Sequence, residues 1–335
     1  MAASQYSIFT SSDVSGPGKI AGTNGDLIRV LTACLVTGYS GVTAVSWTNP
    51  IATASNIASY RPPSGSRLIL VVGDDGTAAI GLGAKAAYFA GWETLAGIAT
   101  PVGSGGGQFP TTAQFATVGA VVAVKSTTSD ATLRSWILFA DAYGFQFFVD
   151  SDSSGTAWMG CGFGDIFSAK LTTDTYRCMV NGNSFTAVNA ANSMSDKIGI
   201  PYNAGSTNAY NSAGVTAHYV ARTMGGGGGS VQVTPVGDAS VVAATATNVS
   251  NRAGVIPFNP NTPQFIFPIR VFEFNGTYRG RMRGVYHTAH PTNNYTNGTT
   301  FSGSGDYAGK TFQVVGTAVN GGLWIMETSN TLDNN

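Results

Sequence analysis

The stretch that most constrains the fold is residues 134–168, the densest aromatic block in the chain. Short apolar runs within it are separated by Asp141-Ala-Tyr-Gly144 and by Asp150-Ser-Asp-Ser-Ser-Gly155, which are residues that suit tight turns. Runs of strand length between such turns are typical of consecutive β-hairpins. Because aromatic side chains bury large apolar areas, we expect the core to form here. No Pro interrupts the block, which allows it a central position in a sheet.

The rest of the chain repeats this pattern, with turn signals about every ten residues, as in a β-sandwich or barrel. Leu68–Val72 and Ala78–Leu82 flank Asp74-Asp75-Gly76, which predicts a hairpin. Gln264–Tyr278 and Arg279–His287 flank Asn275-Gly276, the best hairpin turn in the sequence. Further strands are predicted at these positions: 86–90, 119–125, 176–180, 217–222, 231–249, 311–316 and 323–328. The predicted fold class is mainly β, an antiparallel sandwich or barrel with one short N-terminal helix.

That helix is predicted over residues 27–36. Leu27, Leu31, Cys34 and Leu35 fall on one helical face, so the helix is expected to pack that face against a sheet. Asn24 is the predicted N-cap, and Gly38 is the predicted stop at the C-terminal end.

We divide the chain into three parts. Residues 1–23 are interpreted as an extended N-terminal arm, and residues 24–224 as the main β domain, which carries the helix. Residues 225–335 form a second β portion, which either packs with the first as one unit or stands apart. Five glycines at 225–229 mark the boundary, as a flexible linker or as the tip of a long hairpin.

Composition points to an assembled subunit. Charged residues make up 10% of the chain, and 17 basic residues balance 17 acidic ones, whereas ordinary soluble domains carry about 25% charged residues. A net charge near zero promotes association, so we expect a homo-oligomer. It also offers little attraction to nucleic acid or to an anionic membrane. No run of 18 apolar residues and no secretory signal is found, so neither a membrane partner nor export is predicted.

Four local patterns suggest binding sites, and each departs from its motif. Residues 304–311 resemble a phosphate-binding loop, but Ser304 replaces the first Gly and a strand follows, so a turn with an exposed Lys310 is favoured. Residues 150–161 resemble a calcium loop, but Cys161 stands where a Glu is needed. His287 and His290 lack a nearby third ligand, so a metal site would require the fold to bring the remote His218 to them. Cys34, Cys161 and Cys178 have no metal-binding spacing and are interpreted as buried free thiols. No metal, cofactor-binding or catalytic residue is assigned.

Two patterns bear on enzyme activity and on contacts. Glycoside hydrolysis needs paired carboxylates, and the chain has only Glu93, Glu273 and Glu327 besides Asp residues in turns. Arg279, Arg281 and Arg283 alternate along one predicted strand. We interpret them as a solvated or inter-subunit stripe, with Asp residues of a neighbouring subunit as partners. The alternative is that these three arginines contact phosphate or nucleic acid.

Several landmarks together resemble a family of poorly characterised virion structural proteins of tailed bacteriophages and prophages. The landmarks span nearly the whole chain and are Gly25–Ile28, Leu31–Tyr39, Trp47-Thr48, Tyr60-Arg61, Gln108–Thr111, Phe163–Asp165, Gly280–His287, Gly309–Phe312 and Gly322–Ser329. The resemblance implies a structural role in a phage particle and carries no catalytic residues. It does not fix a position in the capsid, tail or baseplate.

The sequence therefore predicts a non-enzymatic virion subunit, assembled in the bacterial host cytoplasm. We expect a homo-oligomer, by analogy a trimer, in contact with other virion proteins. The alternative is a glycan- or receptor-binding module of the tail or baseplate, in which exposed aromatic residues would stack on sugar rings. A depolymerase is the third hypothesis, and it would require two carboxylates roughly 5–10 Å apart in a cleft.

Overall fold

The structure is a computed structural model, and it describes residues 5–76, 83–99, 103–115, 121–153, 155, 158–170, 173–184, 216–236, 266–273, 276–288, 297–316 and 324–329. Its strands are β1 Ser7–Thr10, β2 Ile57–Tyr60, β3 Ile69–Gly73, β4 Ala86–Trp92, β5 Thr94–Gly97, β6 Ser104–Gly106, β7 Val121–Val124, β8 Trp136–Ala140, β9 Gly144–Asp150, β10 Trp158–Asp165, β11 Phe167–Ser168, β12 Cys178–Ser184, β13 Thr216–Val220, β14 Val231–Val236, β15 Ile266–Glu273, β16 Tyr278–Thr288, β17 Thr300–Ser302, β18 Thr311–Val315 and β19 Trp324–Glu327. The helices are α1 Asp26–Thr32, which continues as a π-helical turn at Ala33–Thr37, and α2 Thr112–Gln114. Short 3-10 turns lie at Gly83–Lys85 and Gly305–Tyr307. The predicted mainly β, antiparallel fold class is confirmed.

The aromatic block forms the middle of a layered structure. Strands β8, β9 and β10 pair in sequence, with β1 on the outer edge of β8 and β12 beside β10. Successive side chains of a strand point to opposite faces of the sheet. Trp136, Leu138 and Ala140 belong to one core, whereas Ile137 and Phe139 belong to a second core on the opposite face. The central sheet is therefore buried on both faces.

The first core lies between the central sheet and an outer sheet with the order β2, β3, β4, β7. Phe145 of the central sheet contacts Phe89 of β4, with ring centroids 6.2 Å apart, and Trp47 lies 5.8 Å from the same Phe145 ring. The Trp47 indole N–H donates to the Asp141 carbonyl at 2.9 Å, which satisfies the one polar group of this buried side chain. Aromatic packing thus holds these two layers together.

The second core lies on the other face, beneath a sheet with the order β14, β15, β16, β19, β18, β17. It joins Phe139 and Phe148 of the central sheet to Ile269, Val271 and Met282 of β15 and β16. Three packed layers result, and in the described part of the chain the strands do not close into a barrel.

Strand β12 connects the layers. It pairs with β10 through Cys178–Asn181 and with β7 through Asn183 and Ser184, so two different sheets meet along it. It also pairs with β13, which in turn pairs with β14 of the third layer. The glycine run at 225–229 lies between these two antiparallel strands, so it forms the loop of a hairpin.

Glycines on β10 allow a close approach between strands. Gly164 has φ +148°, and a Cβ built on it would lie 2.2 Å from the Gly144 Cα of the paired strand β9. A Cβ on Gly162 would lie 2.3 Å from the Gln146 side-chain oxygen. Both distances are far below van der Waals contact, so a larger residue at either position would force the strands apart.

The N-terminal helix is confirmed, although its cap differs from the prediction. The N-cap is Gly25, with φ 79°, and not Asn24, whose side-chain amide instead donates to the Asp75 carbonyl at 2.9 Å. The reason is that the Asp74 carboxylate accepts the Leu27 backbone N–H at 2.8 Å and replaces a local cap. Gly38, with φ 71°, ends the helical segment as predicted.

Most predicted strands are present with small shifts of their ends. The hairpin at the Asn275-Gly276 turn is formed by β15 and β16, which pair antiparallel. The Gly-rich stretch at 103–114 contains the short strand β6 and the helix α2. Ala78–Leu82 and the part of the predicted 231–249 strand beyond 236 lie outside the described residues. Within the described residues, no helix is long and apolar enough to cross a membrane.

The helix face supplies the first test. Leu31 is fully buried in the first core. Replacing Leu31 with Asp would place an unpaired charge there, and we expect it to abolish folding, since such changes cost several kcal/mol. Thr37→Asp, on the exposed side of the same helical segment, should change stability by about 0.5 kcal/mol or less. Circular dichroism and thermal melting measure both effects, and normal melting of the Leu31 variant would contradict the packing described here.

Candidate functional site

Two arginines of β16, Arg279 and Arg283, are buried beside carboxylates between the layers. Arg279 is fully buried, and its guanidinium contacts both carboxylate oxygens of Asp174, with Nη2 donating to Oδ1 at 3.1 Å. Its Nε lies 3.5 Å from Glu273 Oε1, close enough for charge attraction but without hydrogen-bond geometry. The Ser168 hydroxyl donates to Asp174 Oδ2 at 2.7 Å, and so holds that carboxylate in place.

Arg283 occupies a second charged position on the same face. Its Nη2 donates to Asp141 Oδ2 at 2.7 Å, and its guanidinium lies 4.4 Å above the Tyr143 ring and 4.6 Å above the Phe167 ring. Asp141 Oδ1 accepts the backbone N–H groups of Tyr143 and Gly144, at 2.8 and 2.9 Å. The arginine thus ties the β8–β9 turn to β16, with two aromatic rings in contact with its charge.

The predicted solvated or inter-subunit stripe of arginines is wrong for two of its three members. Arg279 and Arg283 are buried, and the carboxylates that neutralise them belong to the same chain. Arg281 is partly exposed and stacks on Phe167 at 5.2 Å. The reason is that β16 is covered by the central sheet, so side chains on that face meet the turns of β8–β9 and β11–β12. The arginines therefore bind the layers together.

A substitution at Arg279 tests this assignment. Arg279→Gln would leave Asp174 and Glu273 buried without a cation, and removing one partner of a buried ion pair costs roughly 3–5 kcal/mol. Arg281→Gln is the matched control on the same strand and should cost about 1 kcal/mol or less, because that side chain is partly solvated. Urea unfolding of both variants measures the difference. Equal stability of the two variants would contradict the role given to Arg279.

A polar cluster lies in the second core beside the glycines of β10. Asn181 and His218 face each other across β12 and β13, and the Asn181 amide donates to Gln146 Oε1 at 3.3 Å. Among the residues that the structure describes, Asn181 Oδ1 and both ring nitrogens of His218 find no hydrogen-bond partner. A small cavity of about 10 Å³ borders Asn181 and Gln146, roughly what one water needs. The cavity is too small for a sugar or a nucleotide.

Burial lowers the pKa of His218 to about 3, so the ring is neutral at pH 7. In the unfolded chain the pKa of a histidine is about 6.5. Between about pH 3 and 6.5 the unfolded state therefore binds more protons at His218 than the folded state does. The stability associated with His218 is therefore complete above about pH 6.5 and is lost as pH falls toward 3. His218 therefore makes the free energy of unfolding depend on pH in this range.

Replacing His218 with Leu should flatten the dependence of unfolding free energy on pH between about 6.5 and 4. Val220→Ala, on the same strand and in the same core, should lower stability at both pH values while keeping the slope of the wild type. Urea unfolding at the two pH values measures both slopes. An unchanged slope in the His218 variant would show that His218 does not titrate on unfolding.

The loop-like motifs are structural turns. Lys310 precedes strand β18 as predicted, but it is not exposed as expected: its Nζ lies 3.0 Å from Oε1 of the buried Glu327. The 150–155 segment is the polar turn between β9 and β10, in which Asp150 Oδ2 accepts the Gly155 N–H at 2.9 Å. Among the described residues, no group of three or more His, Cys, Asp or Glu side chains could hold a metal ion.

The side chains of His287 and His290 lie outside the described residues. The cysteines Cys34, Cys161 and Cys178 are free and buried, as predicted, and burial raises the pKa of the Cys161 thiol far above its usual range. A thiol that stays protonated is a poor nucleophile and a poor metal ligand.

The three glutamates all bind groups of their own chain. Glu93 holds Arg222 through two contacts of 2.6 Å, and Arg222 also stacks on Tyr176 at 4.4 Å. Glu273 and Asp174 approach each other only through Arg279, which neutralises both. Glu327 accepts from the Tyr286 hydroxyl at 2.9 Å. None of these carboxylates stands free in a cleft as glycoside hydrolysis would need.

A large share of the charged side chains in the described part of the chain is buried. Of the 17 basic and 17 acidic residues, twelve are buried in the described part of the chain. They are Asp74, Lys125, Arg134, Asp141, Asp150, Asp165, Asp174, Arg177, Glu273, Arg279, Arg283 and Glu327. Sequence reasoning missed these partnerships because Asp141, Asp165 and Asp174 stand next to turn residues, which have the same composition whether they face solvent or an arginine.

The aromatic block predicted to form the core does so. Trp136, Phe139, Phe145 and Phe163 are each 2% exposed or less, so none of them is available to stack on a ligand. The exposed large apolar side chains of the described residues are Ile8, Val14, Leu133 and Tyr278. Comparison with protein-family models and with curated proteins found no match.

Proposed function

We propose that this chain is a non-enzymatic structural subunit that assembles as a homo-oligomer in the virion of a tailed bacteriophage. The observation that carries the proposal is the burial of twelve charged side chains in the described part of a chain that has only 10% charged residues. The exterior is left poorer in charge than the composition alone suggests. Such a surface favours association with copies of itself or with other proteins.

The interior is suited to a building block. One apolar core lies on each face of the central sheet, and buried ion pairs join the layers. The side chains of such a body contact one another across the layers. Buried charge pairs fix which strands lie together, and their removal is costly. A subunit that is present in many copies must have the same shape in each copy, and a fixed arrangement of strands provides this.

The place in a phage particle rests on the resemblance of the sequence landmarks to virion proteins. Mass spectrometry of particles purified by density gradient from the host that encodes the chain tests this part. The chain should occur in the particle fraction in a fixed ratio to the major capsid or tail subunit. Its presence only in the fraction without particles would overturn the virion assignment.

Self-association is tested separately, with the purified chain. We expect an oligomer, by analogy a trimer, in sedimentation velocity runs. Because the exterior is poor in charge, the oligomer should persist when salt is raised from about 0.1 M to about 1 M, where exposed ion pairs are screened. A monodisperse monomer at high concentration would contradict the proposal. Dissociation of the oligomer by salt would show that its interface is held by ion pairs and is not poor in charge.

The glycan-binding module stays the alternative function. It is less favoured because the aromatic block is buried and Tyr278, at 43% exposure, is the exposed aromatic residue of the described part. A depolymerase is less favoured because Asp174 and Glu273, which approach each other, are buried against Arg279. Binding of the purified chain to host polysaccharide without cleavage would support the glycan module, and release of short oligosaccharides would support the enzyme.

A further inference from the structure

The structure holds a buried lysine against a buried aspartate at the amino-terminal end of α1. Lys125 follows β7, Asp74 follows β3, and both side chains are 0% exposed. Lys125 Nζ directly contacts Asp74 Oδ1. The two residues are 51 positions apart in the sequence, and β4 lies between their strands. We propose that Lys125 and Asp74 join in an isopeptide bond between the lysine Nζ and the aspartate Cγ.

The surroundings already match an amide better than an ion pair. Asp74 Oδ2 accepts the Leu27 backbone N–H at 2.8 Å, as the carbonyl oxygen of the product would. Lys125 Nζ donates to the Thr23 carbonyl at 2.6 Å, as the remaining N–H of the product would. An amide has one donor and one acceptor here, and both have partners. An ammonium and a carboxylate at the same place carry two charges with no solvent to stabilise them.

The chemistry balances without a further reactant. Proton transfer from the ammonium to the carboxylate gives a neutral amine and a neutral acid, the pair that an apolar site favours. The Nζ lone pair then attacks Cγ, and the Leu27 N–H stabilises the charge that develops on Oδ2. The C–N bond forms, the C–Oδ1 bond breaks, and Oδ1 leaves as water with protons from the amine and the acid. No oxidation or reduction takes place.

Two features of the site support the step. Desolvation by burial raises the pKa of Asp74 to about 6, against the opposing effects of Lys125 and the Leu27 N–H, so the acid form is accessible near neutral pH. The fold also holds nucleophile and carboxyl group in contact, which makes the reaction intramolecular. The bond would join the ends of β3 and β7 and hold the start of α1 between them.

Mass spectrometry of the purified full chain is the test. The intact mass should be lower than the sequence mass by one water. After denaturation and trypsin digestion, cleavage at Lys125 should be lost, and the peptide of residues 68–85 should appear joined to the peptide of residues 86–134. An intact mass equal to the sequence mass, with normal cleavage at Lys125, overturns the proposal.

Two variants separate this bond from other losses of water. Lys125→Arg keeps the charge but cannot form the bond, so it should have the full sequence mass. Lys310→Arg changes the partly exposed lysine that pairs with Glu327 and should keep the mass loss of the wild type. A succinimide at Asp75-Gly76 would also lose one water, but it leaves Lys125 open to trypsin and persists in Lys125→Arg. If Lys125→Arg does not fold, the joined peptide in the wild type decides alone.

Discussion

The structure depends on one sheet that is apolar on both faces. Strands β8, β9 and β10 alternate between two cores, so neither face can meet solvent and each requires a layer to cover it. The outer sheet of β2, β3, β4 and β7 and the outer sheet of β14 to β19 meet this requirement from opposite sides. The helix α1 completes the first core with Leu27, Leu31 and Leu35. The three-layer arrangement is thus a direct result of placing aromatic and aliphatic residues on both faces of the central strands.

The charged residues follow from the same constraint. A turn that ends a buried strand is itself covered, and its carboxylate then needs a cation from the covering layer. Asp141 at the β8–β9 turn forms an ion pair with Arg283, and Asp174 before β12 forms one with Arg279. At the end of β10, Asp165 Oδ2 pairs with Arg177 Nε at 2.7 Å and accepts the Ser66 backbone N–H at 2.9 Å. Burial of charge in this protein is concentrated where strands end.

Local pattern predicted much of the fold and little of the charge network. The helix at Leu27–Val36, the β15–β16 hairpin and the central place of the aromatic block all follow from residues that are close in sequence. Asp141 lies 142 residues from Arg283 and Asp174 lies 105 residues from Arg279, and no local signal identifies these two partners. Asn24 failed as the cap for the same reason, because Asp74 reaches the helix from a distant strand. A residue's type predicts that it needs a partner, but only the packing of layers identifies that partner.

The position of β12 has a consequence for synthesis of the chain on the ribosome. Until Cys178–Ser184 emerges, β10 and β7 have been made but each lacks the strand that covers one of its edges. An unpaired strand edge is a template for pairing with another chain, and domains that await distant segments are prone to aggregate. A product that terminates before residue 178 would therefore expose two such edges at once. The rate at which the nascent chain passes this point, and the help of chaperones there, would determine how much protein reaches its native state.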